Sequence, residues 1–150
     1  MEGLASYDTL IPENTSIVVF GFGDNWQELE AIARLFPQHQ VLGIDFLERN
    51  ISKAGKNVSS ENITLIHNDI LKVDFSLYAP VTMVCVSYVC DYRLFNGDEK
   101  AITSLINHVW HILSDNGYIF SIPGNAITST AFESSGATTL VNEGAGLKTM

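Results

Sequence analysis

Five short apolar runs, Ile17 to Phe20, Val41 to Ile44, Ile63 to Ile66, Val81 to Ser87 and Tyr118 to Ile122, set the tightest limit on what this chain can fold into. They are β-branched or aromatic and nearly continuous, which is the composition of strands covered on both faces. About twenty residues separate the first run from the second and the second from the third, the length of a turn, a helix and a return turn. Helix patterns fill these gaps. Leu29, Ile32, Ala33 and Phe36 recur at helical spacing, with Asp24 or Asn25 to cap the start and Phe36-Pro37 to stop the helix. Leu47, Ile51 and Ala54 form a second, weaker stripe ending near Gly55, with Arg49, Lys53 and Lys56 on its solvated side. The segment from Ile70 to Pro80 leaves room only for a turn or a stub of helix. The longest stripe, Ile102, Leu105, Ile106, Val109, Ile112 and Leu113, starts at a capping Asp98 and is expected to end at Asn116-Gly117 by a left-handed turn.

The order β-α-β-α-β-β-α-β predicts an α/β fold, a doubly wound and mainly parallel five-stranded sheet. Residues 15–122 form its domain, preceded by an N-terminal segment over 1–14. The tail over 123–150 holds four Gly and eight Ser or Thr and no useful helical stripe. It reads as loop-rich, with Ala137 to Glu143 and Leu147 to Met150 spaced as a weak terminal hairpin.

Composition narrows the classes of partner. Eight Lys plus Arg against seventeen Asp plus Glu give a net charge of −9, a field that repels a phosphate backbone and excludes nucleic acid as the expected partner. The first fifteen residues carry no Lys or Arg and no apolar run of signal length, and no later run is long enough to span a bilayer. A cytoplasmic address is expected, with no membrane association. Cys85 and Cys90 read as reduced core thiols, and the N-x-S/T triplets at Asn14, Asn50, Asn57 and Asn62 as chance matches. His108 and His111 have no carboxylate or Cys cluster beside them, so no metal site is predicted.

Ligands of doubly wound sheets bind at the carboxyl ends of the strands, near the switch point beside the first strand. The glycines lie there, in Phe20-Gly21-Phe22-Gly23-Asp24-Asn25. Gly21 permits the tight turn and Gly23 lets a ligand approach the backbone. Asp45 ends the second strand, where a carboxylate can accept from both hydroxyls of an adenosine ribose or cap the next helix. A dinucleotide usually wants a third glycine where this chain has Trp26, and Asp24, Glu28 and Glu30 put negative charge where its pyrophosphate would lie. A cationic ligand suits the same place better.

In these residues the chain resembles the class I S-adenosylmethionine-dependent methyltransferases. The segment from Ile17 to Asn25 is similar to that family's first motif, and GIDF at Gly43 to Phe46 to its second. His67-Asn68-Asp69-Ile70 resembles the segment after the third strand, Val81 to Tyr88 the fourth strand, and Leu113 to Ile119 the turn entering the fifth. The resemblance implies S-adenosylmethionine as cofactor, held by Gly21, Phe22, Gly23, Asp24, Asp45, Phe46, Asp69, Ile70 and Ser87. Asp69 would lie near the adenine amino group, with Ile70 against the ring. Asp91 is the candidate base and Tyr88 the candidate orienting residue for a small-molecule or protein acceptor. The family usually adds another helix and an antiparallel strand pair after the fifth strand, and the short tail predicts a truncated or minimal member without them. Two other functions stay open: a non-catalytic scaffold or regulatory subunit, and an NAD- or nucleotide-binding oxidoreductase domain. A bare edge on the fifth strand would invite self-association or a partner subunit.

Overall fold

The computed structural model describes residues 11–87, 98–122, 138–139 and 146–149. Strand β1 (Ser16–Phe20) leads into helix α1 (Trp26–Leu35), β2 (Gln40–Asp45) into α2 (Glu48–Asn57), and β3 (Ile63–His67) into two single-turn 3-10 helices at Ile70–Lys72 and Phe75–Leu77. Then come β4 (Val81–Ser87), α3 (Glu99–Ile112), β5 (Leu113–Ile122), β6 (Thr138–Thr139) and β7 (Gly146–Thr149). One sheet holds all seven strands in the order β3-β2-β1-β4-β5-β7-β6. The first five are parallel, and β7 runs antiparallel to both β5 and β6.

The expected doubly wound α/β core is therefore present, and the sheet does not stop at β5. Thr138–Thr139 and Gly146–Thr149 form the terminal strand pair, and β7 joins β5 with Tyr118 opposite Thr149 and Ser121 opposite Gly146. The expectation that the distal antiparallel strands are missing is corrected. The outer edge of β5 is occupied within the chain, so that edge supplies no reason for a partner subunit.

Side-chain alternation in the central strands divides the interior into two cores. Val18 and Phe20 of β1, Leu42 and Ile44 of β2, and Val84 and Val86 of β4 meet Leu105, Ile106 and Val109 of α3. Their neighbours Ile17, Val19, Val41, Met83 and Cys85 face the other way, against Leu29, Ile32 and Ala33 of α1 and Ala54 of α2. Both faces of β1 are sealed, as continuous apolar strands require. Strand β3 lies at the sheet edge and is only partly buried, despite its similar sequence. Gly43 sits where a Cβ would press on Leu29 at 3.0 Å and Leu65 at 3.2 Å, so α1 approaches the sheet closely there.

Two helix ends differ from expectation. Helix α2 continues through Gly55 to Asn57. Helix α3 begins as expected, with Asp98 accepting from the Ala101 N–H, but ends at Ile112, ahead of Asn116-Gly117. Asn116 does take the left-handed conformation, at φ 62°, inside a wide bulge of β5: Val81 faces Leu113, yet Met83 faces Tyr118. A Cβ at Gly117 would lie 2.6 Å from Leu113 Cγ and 2.9 Å from the Ser114 carbonyl, so only glycine fits this bulge.

Polar side chains tie the α1 layer to the loop before β3. Glu30 is buried and accepts from the Ser59 and Ser60 hydroxyls, each at 2.8 Å, and from both their backbone N–H groups; Arg34 adds an ion pair at 3.2 Å. Asn62 donates from its amide to the carbonyls of Ala33, Phe36 and His39. Asn50 and Asn57 are likewise engaged, so three of the four N-x-S/T asparagines form side-chain hydrogen bonds within the fold. Cys85 is a buried free thiol whose pKa is pushed up by burial and by the nearby Glu28 charge, the inert state expected of a core cysteine. Cys90 lies outside the described residues.

Burial acts to raise the Glu30 pKa, but the Ser60 and Ser59 hydrogen bonds outweigh it and lower the group from 4.5 to about 2. A depressed carboxyl pKa stabilises the fold above the unfolded value, and that contribution is lost as pH falls from about 4.5 toward about 2. Urea denaturation should show Glu30→Gln costing about 1–3 kcal/mol at pH 7, with the gap from wild type narrowing steadily below pH 4.5.

Candidate functional site

The strand order reverses between β2-β1 and β4-β5, and a cleft opens at the carboxyl ends of the strands at this switch point. Its volume is about 800 Å³. Phe20 and Gly21 at the end of β1, and Ile44, Asp45 and Phe46 at the end of β2, form one side. His67 through Lys72 and, from α3, Ala101, Ser104 and Leu105 form the other. Most of the exposed lining is apolar. Phe46 is 70% exposed and Leu71 47%, which for large apolar side chains beside a cleft marks surface left for a ligand to cover.

The glycine turn owes its shape to two left-handed residues, Gly21 at φ 68° and Gly23 at φ 61°. Its backbone is anchored on β2. The Gly21 N–H donates to the Ile44 carbonyl at 3.0 Å, and the Gly23 N–H donates to Asp45 Oδ2 at 3.1 Å. Asp45 is 4% exposed, and its Oδ1 accepts from the Leu47 N–H at 2.9 Å and the Asn50 amide at 3.2 Å. One carboxylate thus closes the glycine turn and starts α2. A carboxylate has about four acceptor sites, and three of those on Asp45 are filled, which leaves one on Oδ2. The helix-starting and ligand-facing roles expected of Asp45 are both compatible with this geometry.

Across the cleft, Asp69 accepts from the Leu71 N–H at 2.9 Å and so caps the first 3-10 turn, which turns Ile70 inward. His108 of α3 contacts the Ile70 carbonyl through Nε2 at 3.0 Å, pinning this turn to the helix. His111 contacts the Asn107 carbonyl instead, so the two histidines have separate structural partners. Among the described residues no group of His, Cys, Asp and Glu could hold a metal ion.

Of the residues singled out from sequence, Gly21, Asp45, Phe46, Asp69 and Ile70 meet in the cleft. Gly23 stands behind it through its bond to Asp45. Phe22 does not reach the cleft: it is 3% exposed and packs in the core beneath α1, because the left-handed residues on either side turn it to the opposite face. Asp24 also stays out, on the exposed rim and 3.7 Å from Lys53. Glu30, read as charge near the turn, points instead to Ser59 and Ser60. Ser87 ends β4 opposite Ile122, and Tyr88 and Asp91 lie outside the described residues. The contributions of His67, Lys72, Ala101 and Ser104 were not legible beforehand. On α3 the spacing of Ala101, Ser104 and Leu105 is that of any helix face.

No family model matches the sequence, and no curated protein matches it. Solved structures do share the fold. A SAM dependent methyltransferase from Aquifex aeolicus aligns with 99% of this chain and 88% of its own at 14% identity, with a TM-score of 0.73. The plantazolicin methyltransferase BpumL, in complex with SAH, aligns with 88% of this chain and 53% of its own at 21% identity, with a TM-score of 0.60. PKMT2 from Rickettsia typhi, in complex with AdoHcy, aligns at 22% identity and a TM-score of 0.59; the match covers 72% of this chain but only 20% of that protein. The chain has the Rossmann-like fold of these methyltransferases. Among the described residues no helix is long and apolar enough to cross a membrane.

The glycine turn yields a prediction that separates conformation from packing. No atom lies within 4 Å of a Cβ built on Gly23, so the cost of substitution there is the left-handed backbone alone. Thermal melts should place Gly23→Val about 1–2 kcal/mol below wild type, with Gly23→Asn losing less than half as much.

Proposed function

We propose that the cleft binds S-adenosylmethionine and that the chain acts as a methyl-transfer domain on a small molecule or a protein. The observation that carries this reading is the buried Asp45 carboxylate at a mostly apolar cleft, directly behind a left-handed glycine turn. Ligand clefts run from about 300 to 1,000 Å³, and the volume here, about 800 Å³, lies within that range. The residues present suit an adenosyl group. The open acceptor site on Asp45 Oδ2 suits a ribose hydroxyl, Phe46, Ile70 and Leu71 offer apolar surface to a purine, and Asp69 supplies an acceptor for an exocyclic amine.

S-adenosylmethionine, when bound, supplies a methyl group activated by a sulfonium. The demands on the protein are chiefly positioning and exclusion of water. In this reading Asp45 and the glycine turn orient the nucleoside, and Gly21 keeps the end of β1 free of side-chain bulk. Ser87, at the end of β4, is assigned to the cofactor, and Tyr88 and Asp91 beyond it to the acceptor, with Asp91 as base where the acceptor carries a proton to be lost. The likeness to methyltransferases with AdoHcy or SAH bound supports the choice of cofactor.

A dinucleotide fits less well. Trp26 stands at the first position of α1 and packs against the core on that side, where a third glycine would let a pyrophosphate approach the helix. A non-catalytic scaffold would be favoured by a sheet ending at β5, and β7 with β6 extends it.

In a thermal-shift titration, S-adenosylhomocysteine at a hundredfold its Kd should add about 2.7 kcal/mol of stability, and NAD should add none. Asp45→Ala melts lower without ligand, because three donors lose their acceptor, and should show no further shift with S-adenosylhomocysteine. Stabilisation by NAD alone would reverse the cofactor assignment.

A further inference from the structure

His67 ends β3 directly opposite Asp45, its register partner at the end of β2, and both line the cleft. Its Nε2 lies 3.1 Å from the carbonyl oxygen of Phe46. A carbonyl oxygen only accepts, so Nε2 carries the hydrogen, and the donor exists in the neutral tautomer and in the cation alike. Beside this contact, the Asn68 N–H donates to the Asp45 carbonyl at 3.2 Å. Two consecutive carbonyls of the β2 exit are therefore held from β3, one by backbone and one by a side chain.

The side-chain bond falls on the first residue beyond the ladder. Phe46 has left the ladder, its ring is 70% exposed, and it stands on the cleft wall. Asp45 Oδ1 already holds the N–H end of the Phe46–Leu47 peptide, at Leu47, and His67 holds its carbonyl end, so the peptide that leaves the ring's Cα is fixed at both ends. We infer that His67 is a positioning residue for nucleoside binding: it holds the Phe46 peptide so that the ring is presented, already oriented, to the base of an adenosyl ligand. This rests on the S-adenosylmethionine reading of the cleft and adds to it a residue that acts through Phe46 and not through the ligand. The benefit is one of preorganisation, since a wall fixed in advance spares binding the entropy of ordering it.

A double-mutant cycle with S-adenosylhomocysteine, read by calorimetry on the full chain, tests this. His67→Leu should weaken binding about five- to tenfold, the worth of one hydrogen bond, while His67→Gln, which keeps a donor, stays within about threefold of wild type. In a Phe46→Ala background the same His67→Leu change should cost less than about twofold, because the ring it orients is gone. An equal loss in both backgrounds would overturn the inference by showing that His67 meets the ligand itself, and so would unaltered binding in His67→Leu. A wild-type chain that does not bind S-adenosylhomocysteine would instead overturn the cofactor reading, and this inference with it.

Discussion

The carboxylate of Asp45 is the point on which the site depends. Taking such a group out of water is costly unless its oxygens find donors, and here three donors from three parts of the chain converge on it. Gly23 brings the turn after β1, Leu47 the entry to α2, and Asn50 the first turn of that helix. The same atoms that satisfy the buried charge thereby set the distance between the β1 and β2 exits, and hence one side of the cleft. Parallel pairing supplies the other side, because β3 beside β2 carries His67 to Asp45 and delivers Asn68 and Asp69 just beyond. Cleft wall and structural joint are one feature.

Sequence reasoning recovered the parts of this arrangement that local pattern controls. Continuous β-branched runs located the parallel strands, since a strand sealed on both faces leaves no place for polar residues. The position of Asp45 at the end of the second strand pointed to the carboxylate, and Asp69 and Ile70 line the same cleft because a short crossover leaves that turn few alternatives. Phe22 escaped because its direction depends on the left-handed angles at Gly21 and Gly23, which fix the face a side chain takes only once both are known. Glu30 escaped because its partners, Ser59 and Ser60, lie 29 and 30 residues away and no local pattern announces them. Strand β7 carries too few residues to show alternation, and it exists by pairing with β5.

The distribution of charge also differs from a count of acidic residues near the turn. Asp24 is engaged with Lys53 on the rim and Glu30 is consumed by serines on the far side of α1. What remains at the cleft is Asp45, with Asp69 across from it and Lys72 nearby. In the proposed reading, selectivity against a pyrophosphate then comes less from a diffuse negative field than from one buried carboxylate and from the bulk of Trp26 at the start of α1. In the proposed reading such a site takes a ribose and a base, and asks for no phosphate.

Hydrogen–deuterium exchange with and without saturating S-adenosylhomocysteine tests this account most directly, because it reads where the ligand acts. The account predicts slowed exchange in three separated stretches that meet only in the fold, over residues 20–25, 45–50 and 67–72, with the rest of the described sheet unchanged. Protection confined to other segments, or none in any of the three, would contradict it.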